Sequence, residues 1–381
     1  MRTAIVLPSG SQFSSSRPNS METVVRTLLR AGTGHDLRIF CDDGAADHAM
    51  GGLILLPPGR ARTPTLIAAL QDFDPEIVEY HQQVKQAVAV ARRLPRAAHI
   101  LYRHNAVKPP RHAIDRWRYG RRYDRMDGMI FVSEAERALF AETFPHLAER
   151  AWAVPNPIEA ADWRAPPENR EPLIAFAGRA MPEKGVDVIC AALPAILDRH
   201  PDWNAVLMLN DWEEHRLWAE PHVARLRRYG DRVRLLHSAP LAEVRSWMKR
   251  AAIALVPSTW AEPFGLTALE AHAAGAALVS SGRGGLREAS GPHALYLNRV
   301  TPAALVAAAE RLITHPEERL SLARAAQAYV ELVHAPGPRA AQLDTARMAI
   351  VERARQRCLR RAGALERSAS GVQDWPVPNE S

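Results

Sequence analysis

The sequence predicts an α/β protein with two domains of similar architecture, each built on a parallel β-sheet covered by helices. Short apolar segments alternate with segments of helical spacing along most of the chain, which is the pattern of strand–helix–strand units. The alternation occurs twice, and the two series are separated by a loop-like stretch, residues 155–172, with five prolines. A chain of 381 residues is long enough for two cores of ordinary size.

The first half opens with an apolar strand at residues 3–7, which ends at Pro8 and is too short for a signal peptide. Residues 21–30 have helical spacing, with Ser20 as the predicted N-cap. A later helix begins after Ser133, and Glu136 takes the capping-box position. The other predicted elements are a helix at 65–73 and strands at 37–40, 53–56, 77–80, 99–102, 129–132 and 151–154.

The second half repeats this organisation and ends in helices. Its predicted strands are 173–177, 205–209, 233–236, 252–256, 276–279 and 294–297. Helices follow at 302–314 and 317–332, and a long Arg- and Ala-rich helix covers about 339–361. The composition of the last residues, 366–381, predicts a disordered tail.

Composition excludes some classes of protein. Hydrophobic residues make up 47% and charged residues 24% of the chain, as in soluble globular proteins, and no apolar run has the length of a membrane span. The three cysteines, Cys41, Cys190 and Cys358, lack metal-type spacing, so we expect a reducing cytoplasm. A net charge of +7 favours anionic partners without choosing among them.

The stretch 251–288 carries the first chemical motif. A buried strand leads through a polar elbow at 258–262 into a helix that ends near Gly275. A helix N-terminus after an open elbow binds anions, because its first N–H groups are unpaired and carry positive dipole charge. Gly265 allows a ligand to approach this backbone, and Glu262 and Glu270 flank it.

The turn 178–185 carries the second motif. It follows an apolar strand, contains Gly178, Arg179, Lys184 and Gly185, and leads into a helix near Val186. Arginine grips phosphate oxygens in a fork and lysine adds a compact charge, so the turn is suited to phosphate, although it is not a Walker A loop. A solvated surface is the alternative for either cation alone.

Together these motifs resemble the donor-binding half of the family 4 retaining glycosyltransferases, which have the GT-B fold. Glu262 and Glu270 match the family's E-x7-E signature, and the turn matches G-R-x-x-x-x-K-G. The resemblance covers residues 173–309 strongly and extends more loosely to IVEYHQQ, ILYRHNAVKPP, IFVSE and VPNPIE in the first half. It implies two Rossmann-like domains whose parallel sheets face each other across a cleft.

The resemblance also implies a division of the chain. The expected parts are an acceptor-binding domain at 1–165, a linker at 166–172, a nucleotide-sugar-binding domain at 173–338, a helix at 339–365 that packs back on the first domain, and the tail at 366–381.

The resemblance assigns roles on the donor side. Glu262 would be catalytic and would bind sugar hydroxyls near the reacting carbon, while Glu270 would bind the ribose. Arg179 and Lys184 would hold the diphosphate. The backbone of Phe264, Gly265 and Leu266 would face the same diphosphate, and no metal or other cofactor is expected. Glu288, which follows a glycine turn, is a weaker candidate that could equally pair with an arginine.

Two histidines follow strands of the first half, where strand ends face the crevice of an α/β sheet. The resemblance implies that His104 takes part in catalysis by polar positioning against donor sugar and acceptor. His81 is a weaker candidate, and a structural role is the alternative for both. The loop after the first strand departs from the family pattern, because Gly10 stands where many members have two glycines. Its hydroxyls and Arg17 could serve the phosphate instead.

Two further features have alternative interpretations. Residues 111–125 contain six arginines among aromatic residues, so they predict either a solvated helix or a contact with an anionic membrane or lipid-linked acceptor. On a helix, Arg111, Arg118, Arg122 and Arg125 would share a face. Asp42 and Asp43 predict a turn rather than a metal site.

These observations predict a metal-independent retaining glycosyltransferase that moves a sugar from a nucleotide diphosphate sugar to a cell-envelope glycan or lipid-linked saccharide. We expect it in the cytoplasm or at the inner face of the cell membrane. The alternative is a catalytically silent GT-B protein that binds nucleotide sugar or acts as a scaffold. Nucleic-acid binding is a distant third, and we expect no nucleic-acid partner.

Overall fold

Two parallel β-sheets, one in each half of the chain, form the framework of the protein. The computed structural model describes residues 1–14, 19–32, 34–44 and 52–370. The first sheet has seven strands in the order β3-β2-β1-β4-β5-β6-β7, and the second has six in the order β10-β9-β8-β11-β12-β13. All neighbouring strands run parallel, and helices form most of the described connections between them. The α/β prediction is therefore confirmed.

Among the described residues, the first domain contains seven strands and five helices, and a sixth helix leads to the second domain. Its strands are β1 (Arg2–Val6), β2 (Asp36–Asp42), β3 (Leu53–Leu56), β4 (Ile77–His81), β5 (Ala98–Arg103), β6 (Gly128–Phe131) and β7 (Ala151–Ala153). Its helices are α1 (Ser20–Arg30), α2 (Arg62–Phe73), α3 (Val84–Ala91), α4 (Ala113–Tyr123) and α5 (Glu134–Thr143), and the short α6 (Ala160–Trp163) begins the connection between the sheets.

The second domain contains the remaining strands. They are β8 (Glu171–Arg179), β9 (Asn204–Asn210), β10 (Val233–His237), β11 (Ala251–Val256), β12 (Ala277–Ser280) and β13 (Leu295–Tyr296). Its helices are α7 (Val186–Arg199), α8 (Trp212–Val223), α9 (Leu241–Arg250), α10 (Leu266–Ala273), α11 (Leu286–Ser290), α12 (Pro302–Thr314) and α13 (Pro316–Val333).

Central strands are apolar because helices cover both faces of each sheet. Every residue of β11 is buried, which explains why its sequence shows no alternation. The helix caps follow local chemistry, and one differs from the prediction. Asn19, not Ser20, caps α1, because its side chain accepts the Glu22 N–H at 2.9 Å. Ser133 caps α5 as predicted, accepting the Glu136 N–H at 3.1 Å.

The last helix, α14 (Pro336–Ser370), returns to the first domain and packs against α1 and β5. Its side chains reach the first sheet, as Gln342 shows by donating to the Ala153 carbonyl at 3.0 Å. The helix includes residues 366–370, which the sequence analysis assigned to the tail, and residues 371–381 lie outside the described part. Within the described residues, no helix combines the length and apolar character needed to cross a bilayer.

Candidate active site

The β11–α10 connection forms one wall of the site. Gly265 precedes α10 with a φ of 116°, a backbone conformation that residues with a Cβ rarely adopt. A Cβ at this position would also lie 2.4 Å from Cδ2 of Leu286. No side chain caps α10, so the N–H groups of its first turn face the space in front of the helix. Glycine is thus required here by backbone and packing, and the helix start remains open.

Glu262 lies in the elbow before this helix and is nearly fully buried. Its Oε1 atom accepts hydrogen bonds from Lys184 Nζ at 2.6 Å and from Ser258 Oγ at 2.5 Å. No hydrogen bond within the described residues uses its Oε2 atom. The carboxylate is therefore held in one orientation through one oxygen, and the second oxygen is available to a ligand.

The β8–α7 turn brings the two cations to the same place. Arg179 is the exposed last residue of β8, and it forms no ion pair with another described residue. Gly185 precedes α7 with a φ of 72° and abuts the Pro257 carbonyl, so a Cβ would lie 2.3 Å from that oxygen. The Thr259 N–H donates to the Glu183 carbonyl at 2.9 Å. The turn and the elbow therefore form one connected wall.

A hollow of about 500 Å³ lies between the two domains at the carboxyl ends of their strands. It brings together seven of the residues that the sequence analysis proposed: His104, Arg179, Lys184, Glu262, Phe264, Gly265 and Leu266. The wall from the first domain includes Asn19, Ser20 and Met21 at the start of α1. Two helix N-termini and two cations therefore face one space, which suits a ligand with a diphosphate-like charge.

Glu270 lies one turn further along α10 and does not line this hollow. It is half-buried, and burial raises the pKa of its carboxyl to about 7, although the charge of Arg245 acts in the opposite direction. Near neutral pH this carboxyl is therefore close to half protonated.

His104 faces the hollow, whereas His81 lies behind it and is almost fully buried. Nδ1 of His81 and Nε2 of His104 are 2.8 Å apart, and the ring of Tyr102 stacks on both imidazoles. Burial, with the neighbouring His81, holds the pKa of His104 well below its ordinary value. The Gln82 amide oxygen accepts the backbone N–H groups of His104 and Asn105 at 2.8 Å. The pair is a rigid polar unit, and only His104 is placed to meet a ligand.

Two weaker candidates lie away from the hollow. The Glu288 carboxylate accepts the N–H groups of Glu134 and Ala135, both at 2.7 Å, and so caps α5 of the opposite domain. The Gly10 N–H donates to Asp42 Oδ2 at 2.7 Å. Arg17, proposed as a substitute for the missing glycine, lies outside the described residues.

The two remaining predictions need correction. Asp42 is not a turn residue: it ends β2 and accepts a hydrogen bond from the buried Arg62 at 2.5 Å. In the basic segment, α4 is capped by His112 and ends at Tyr123, so Arg111 and Arg125 flank the helix and do not extend its face. Within the described chain, no group of three or more His, Cys, Asp or Glu side chains is arranged to hold a metal ion.

Several residues of the hollow were not predicted from the sequence. Ser258 fixes Glu262, and the ring of Trp260 lies 5.8 Å from Lys184 Nζ. Both residues belong to the polar elbow at 258–262. Their closeness to Glu262 in the sequence could have marked them as residues of the site. Asp211 also lines the hollow, at the start of α8 and with a φ of 53°, and nothing in its local sequence marked it.

Two Rossmann-like domains facing across a cleft, with two cations and an open helix start on one wall, define the class of GT-B glycosyltransferases. The glycosyl transferases group 1 model matches residues 158–329, and the glycosyltransferase family 4 model matches residues 20–162. Glycogen synthase of Mycobacterium tuberculosis is 30% identical over 342 residues, covering 84% of this chain and 79% of that protein. The chain belongs to the family 4 glycosyltransferases, also called glycosyl transferases group 1.

Other relatives agree on family and fold. A lipopolysaccharide core biosynthesis mannosyltransferase of Rhizobium leguminosarum is 32% identical over 116 residues, which is 30% of this chain and 33% of that protein. Anabaena HepE, solved in complex with UDP-glucose, superposes with a TM-score of 0.75 at 15% identity, covering 92% of this chain and all of that one. The predicted family, fold and enzyme class are therefore confirmed.

Proposed function

We propose that the protein is a metal-independent, retaining glycosyltransferase that moves a sugar from a nucleotide diphosphate sugar to a cell-envelope glycan or lipid-linked saccharide. The observation that carries the proposal is the convergence of Arg179, Lys184 and the open start of α10 on the hollow that Glu262 also lines. HepE was solved with UDP-glucose and a relative is named a lipopolysaccharide core mannosyltransferase, which supports the donor and the envelope acceptor respectively.

The chemistry requires stabilisation of a departing diphosphate. The bond between the anomeric carbon and the diphosphate oxygen breaks, and the diphosphate keeps the electron pair. The acceptor hydroxyl forms its new bond on the same face of the sugar, and its proton passes to the leaving phosphate oxygen. Arg179, Lys184 and the N–H groups at the start of α10 would meet the growing charge without reorganisation. Glu262 would bind sugar hydroxyls through its second oxygen.

The test begins with ligand binding. Nucleotide diphosphates and their sugars are screened by thermal shift, where a ligand at a hundred times its Kd stabilises the fold by about 2.7 kcal/mol. Glu262→Ala and Arg179→Ala should then abolish transfer while the unfolding temperature stays close to that of the native protein. Arg216→Ala is the matched control, because Arg216 is exposed on α8, outside the hollow.

Three results would count against the proposal. Unchanged turnover in either variant would remove the site assignment, and loss of activity in a chelator would remove metal independence. Donor binding without transfer to any acceptor or to water would favour the catalytically silent alternative.

We also propose a contact with an anionic membrane. It would lie on the outer face of the first domain, around α4. Ile114 and Trp117 on this helix are 66% and 59% exposed, an unusual degree for large apolar side chains. A neighbouring hollow of about 680 Å³ is lined by seven arginines, among them Arg121, Arg125 and Arg357. Apolar side chains beside concentrated positive charge suit a surface of anionic lipids.

Vesicle sedimentation tests this contact. The protein should pellet with vesicles containing phosphatidylglycerol and remain in solution with phosphatidylcholine alone. Combined Ile114→Ser and Trp117→Ser substitutions should release it from the anionic vesicles. Native protein that stays in solution with anionic vesicles would show that α4 is a solvated helix, and equal pelleting of native protein and double variant would show that Ile114 and Trp117 do not make the contact.

A further inference from the structure

A chain of buried polar contacts connects the last helix to His104. Alternate residues of a strand share a face, so β4 presents Glu79 and His81 on the same side of the first sheet. Arg347 of α14 crosses that side and donates from Nε to Glu79 Oε2 at 2.9 Å, and its Nη2 lies 2.9 Å from the same oxygen. Both side chains are only 1% exposed. The strand and the helix are thus joined by an ion pair shielded from water.

The chain continues from this ion pair into the cleft. Glu79 Oε1, the oxygen that Arg347 does not use, lies 3.1 Å from Nε2 of His81. Nδ1 of His81 lies 2.8 Å from Nε2 of His104. Both ring nitrogens of His81 and Nε2 of His104 therefore have one defined partner each.

The charge state of Glu79 determines which ring nitrogens of His81 and His104 carry hydrogens. Burial alone would raise the pKa of Glu79, but the charge of Arg347 and the hydrogen bond from His81 lower it to about 2. The carboxylate is therefore ionised and only accepts, so His81 Nε2 must carry a hydrogen. Glu79 accepts the hydrogen at Nε2, so in a neutral His81 the lone pair lies on Nδ1. Nε2 of His104 must then be the donor.

We propose that Arg347 and Glu79 are positioning residues that, through His81, hold His104 in the tautomer protonated at Nε2 and unprotonated at Nδ1. Among the described residues, Nδ1 of His104 has no hydrogen-bond partner. Because His104 lines the hollow, this nitrogen can accept a hydrogen bond from a hydroxyl of the donor sugar or acceptor. That functional step rests on the proposed transfer activity, whereas the tautomer does not.

Glu79→Gln makes a specific prediction because its two amide atoms differ. Arg347 only donates, so the amide oxygen of the new side chain must face the guanidinium, and the NH2 group must face His81. Nε2 of His81 then becomes an acceptor, and its Nδ1 becomes a donor. His104 must accept at Nε2 and carry its hydrogen at Nδ1. The substitution should therefore reverse both tautomers.

The matched control is Asp344→Asn. Asp344 also contacts Arg347, through Nη1 at 3.1 Å, and its loss removes the same charge from the same guanidinium. It has no contact with His81, so both tautomers should stay as in the native protein. A change in Asp344→Asn would show that the tautomers respond to charge in general and not to this chain of contacts.

The experiment is a long-range ¹H–¹⁵N correlation spectrum of the full chain labelled with ¹⁵N-histidine, which distinguishes protonated from unprotonated ring nitrogens. The chain has 15 histidines, so the His81 and His104 signals are assigned by their loss in His81→Asn and His104→Asn. We expect an unprotonated Nδ1 for His104 in the native protein and a protonated one in Glu79→Gln. A protonated Nδ1 in the native protein, or no reversal in Glu79→Gln, would overturn the proposal.

The native spectrum needs no substitution at Glu79, so it tests the assignment even if Glu79→Gln fails to fold. In a transfer assay, Glu79→Gln should lower kcat at least about tenfold, because it moves the proton on His104. The donor KM should change less than twofold, because the residues that face the diphosphate are unchanged. Asp344→Asn should retain native kcat. An inactive native protein would refute the proposed function while leaving the tautomer result intact.

Discussion

The pH dependence of donor binding tests the role of Glu270. Burial raises the pKa of this carboxyl to about 7 in the free protein. In the predicted role of Glu270, a ribose hydroxyl would donate to the charged carboxylate, so a bound donor would favour deprotonation and lower the pKa. Affinity should therefore be full above pH 7 and decline as pH falls below it. Between pH 8 and pH 6, Kd should rise about tenfold, which corresponds to about 1.4 kcal/mol.

Isothermal titration calorimetry measures this linkage directly. At pH 6, titrations in buffers of different ionisation enthalpy should report release of roughly one proton per donor bound. The ligand should be the intact nucleotide sugar, because its substituted diphosphate has no proton to lose in this range. Glu270→Gln should keep a Kd close to the native value at pH 6 and show no pH dependence between pH 6 and pH 8.

Thermal unfolding of the protein without ligand tests the same pKa independently. A carboxyl whose pKa is higher in the folded than in the unfolded chain stabilises the fold at pH values below the unfolded pKa. That contribution is lost as the pH rises through the folded pKa of about 7. Glu270→Gln should therefore unfold at a higher temperature than the native protein at pH 8. A native Kd that is constant between pH 6 and pH 8, with no proton released, would refute the ribose assignment.

Three further substitutions test the frame of the site. Gly265→Ala should destabilise the second domain by about 1–3 kcal/mol and weaken donor binding, since the new methyl group collides with Leu286 in a disfavoured backbone conformation; a native unfolding temperature would contradict this. Glu288→Ala should remove about 0.5–2 kcal/mol of contact between the domains, because the first two N–H groups of α5 lose the carboxylate that accepts them, although Ser133 still caps the helix. Small-angle scattering should then show a larger radius of gyration, and an unchanged radius would mean that the cap does not hold the domains together. Arg62→Met leaves a buried carboxylate without its cation and should cost about 3–5 kcal/mol, so thermal unfolding near the native temperature would argue against this ion pair.

Local chemistry explains which parts of the protein could be predicted. Buried parallel strands are continuous apolar runs, so β8 and β11 were evident from the sequence. The charged residues that follow them were predicted to bind the donor, and that remains a prediction. The start of α1 was misplaced by one residue because Asn19 and Ser20 are both good caps. Arg111 was placed on a helix because periodicity alone did not reveal His112 as the cap.

The contacts that escaped prediction join distant parts of the chain. Glu288 caps a helix 154 residues away in sequence, and no local pattern indicates such a partner. Gly10 was expected near phosphate, yet its N–H is used by Asp42, 32 residues away. These partners are set by tertiary packing, which a single sequence does not encode locally.

The ion pair between Glu79 and Arg347 has a consequence for synthesis of the chain on the ribosome. The two residues are 268 positions apart. At about 5–20 residues per second, a ribosome needs roughly 13–54 s to make Arg347 after Glu79. During that time the residues of the first sheet have been made but α14, which covers them, has not. The Glu79 carboxylate then lacks its partner, Arg347. The domain that begins the chain is therefore completed after the second domain has emerged.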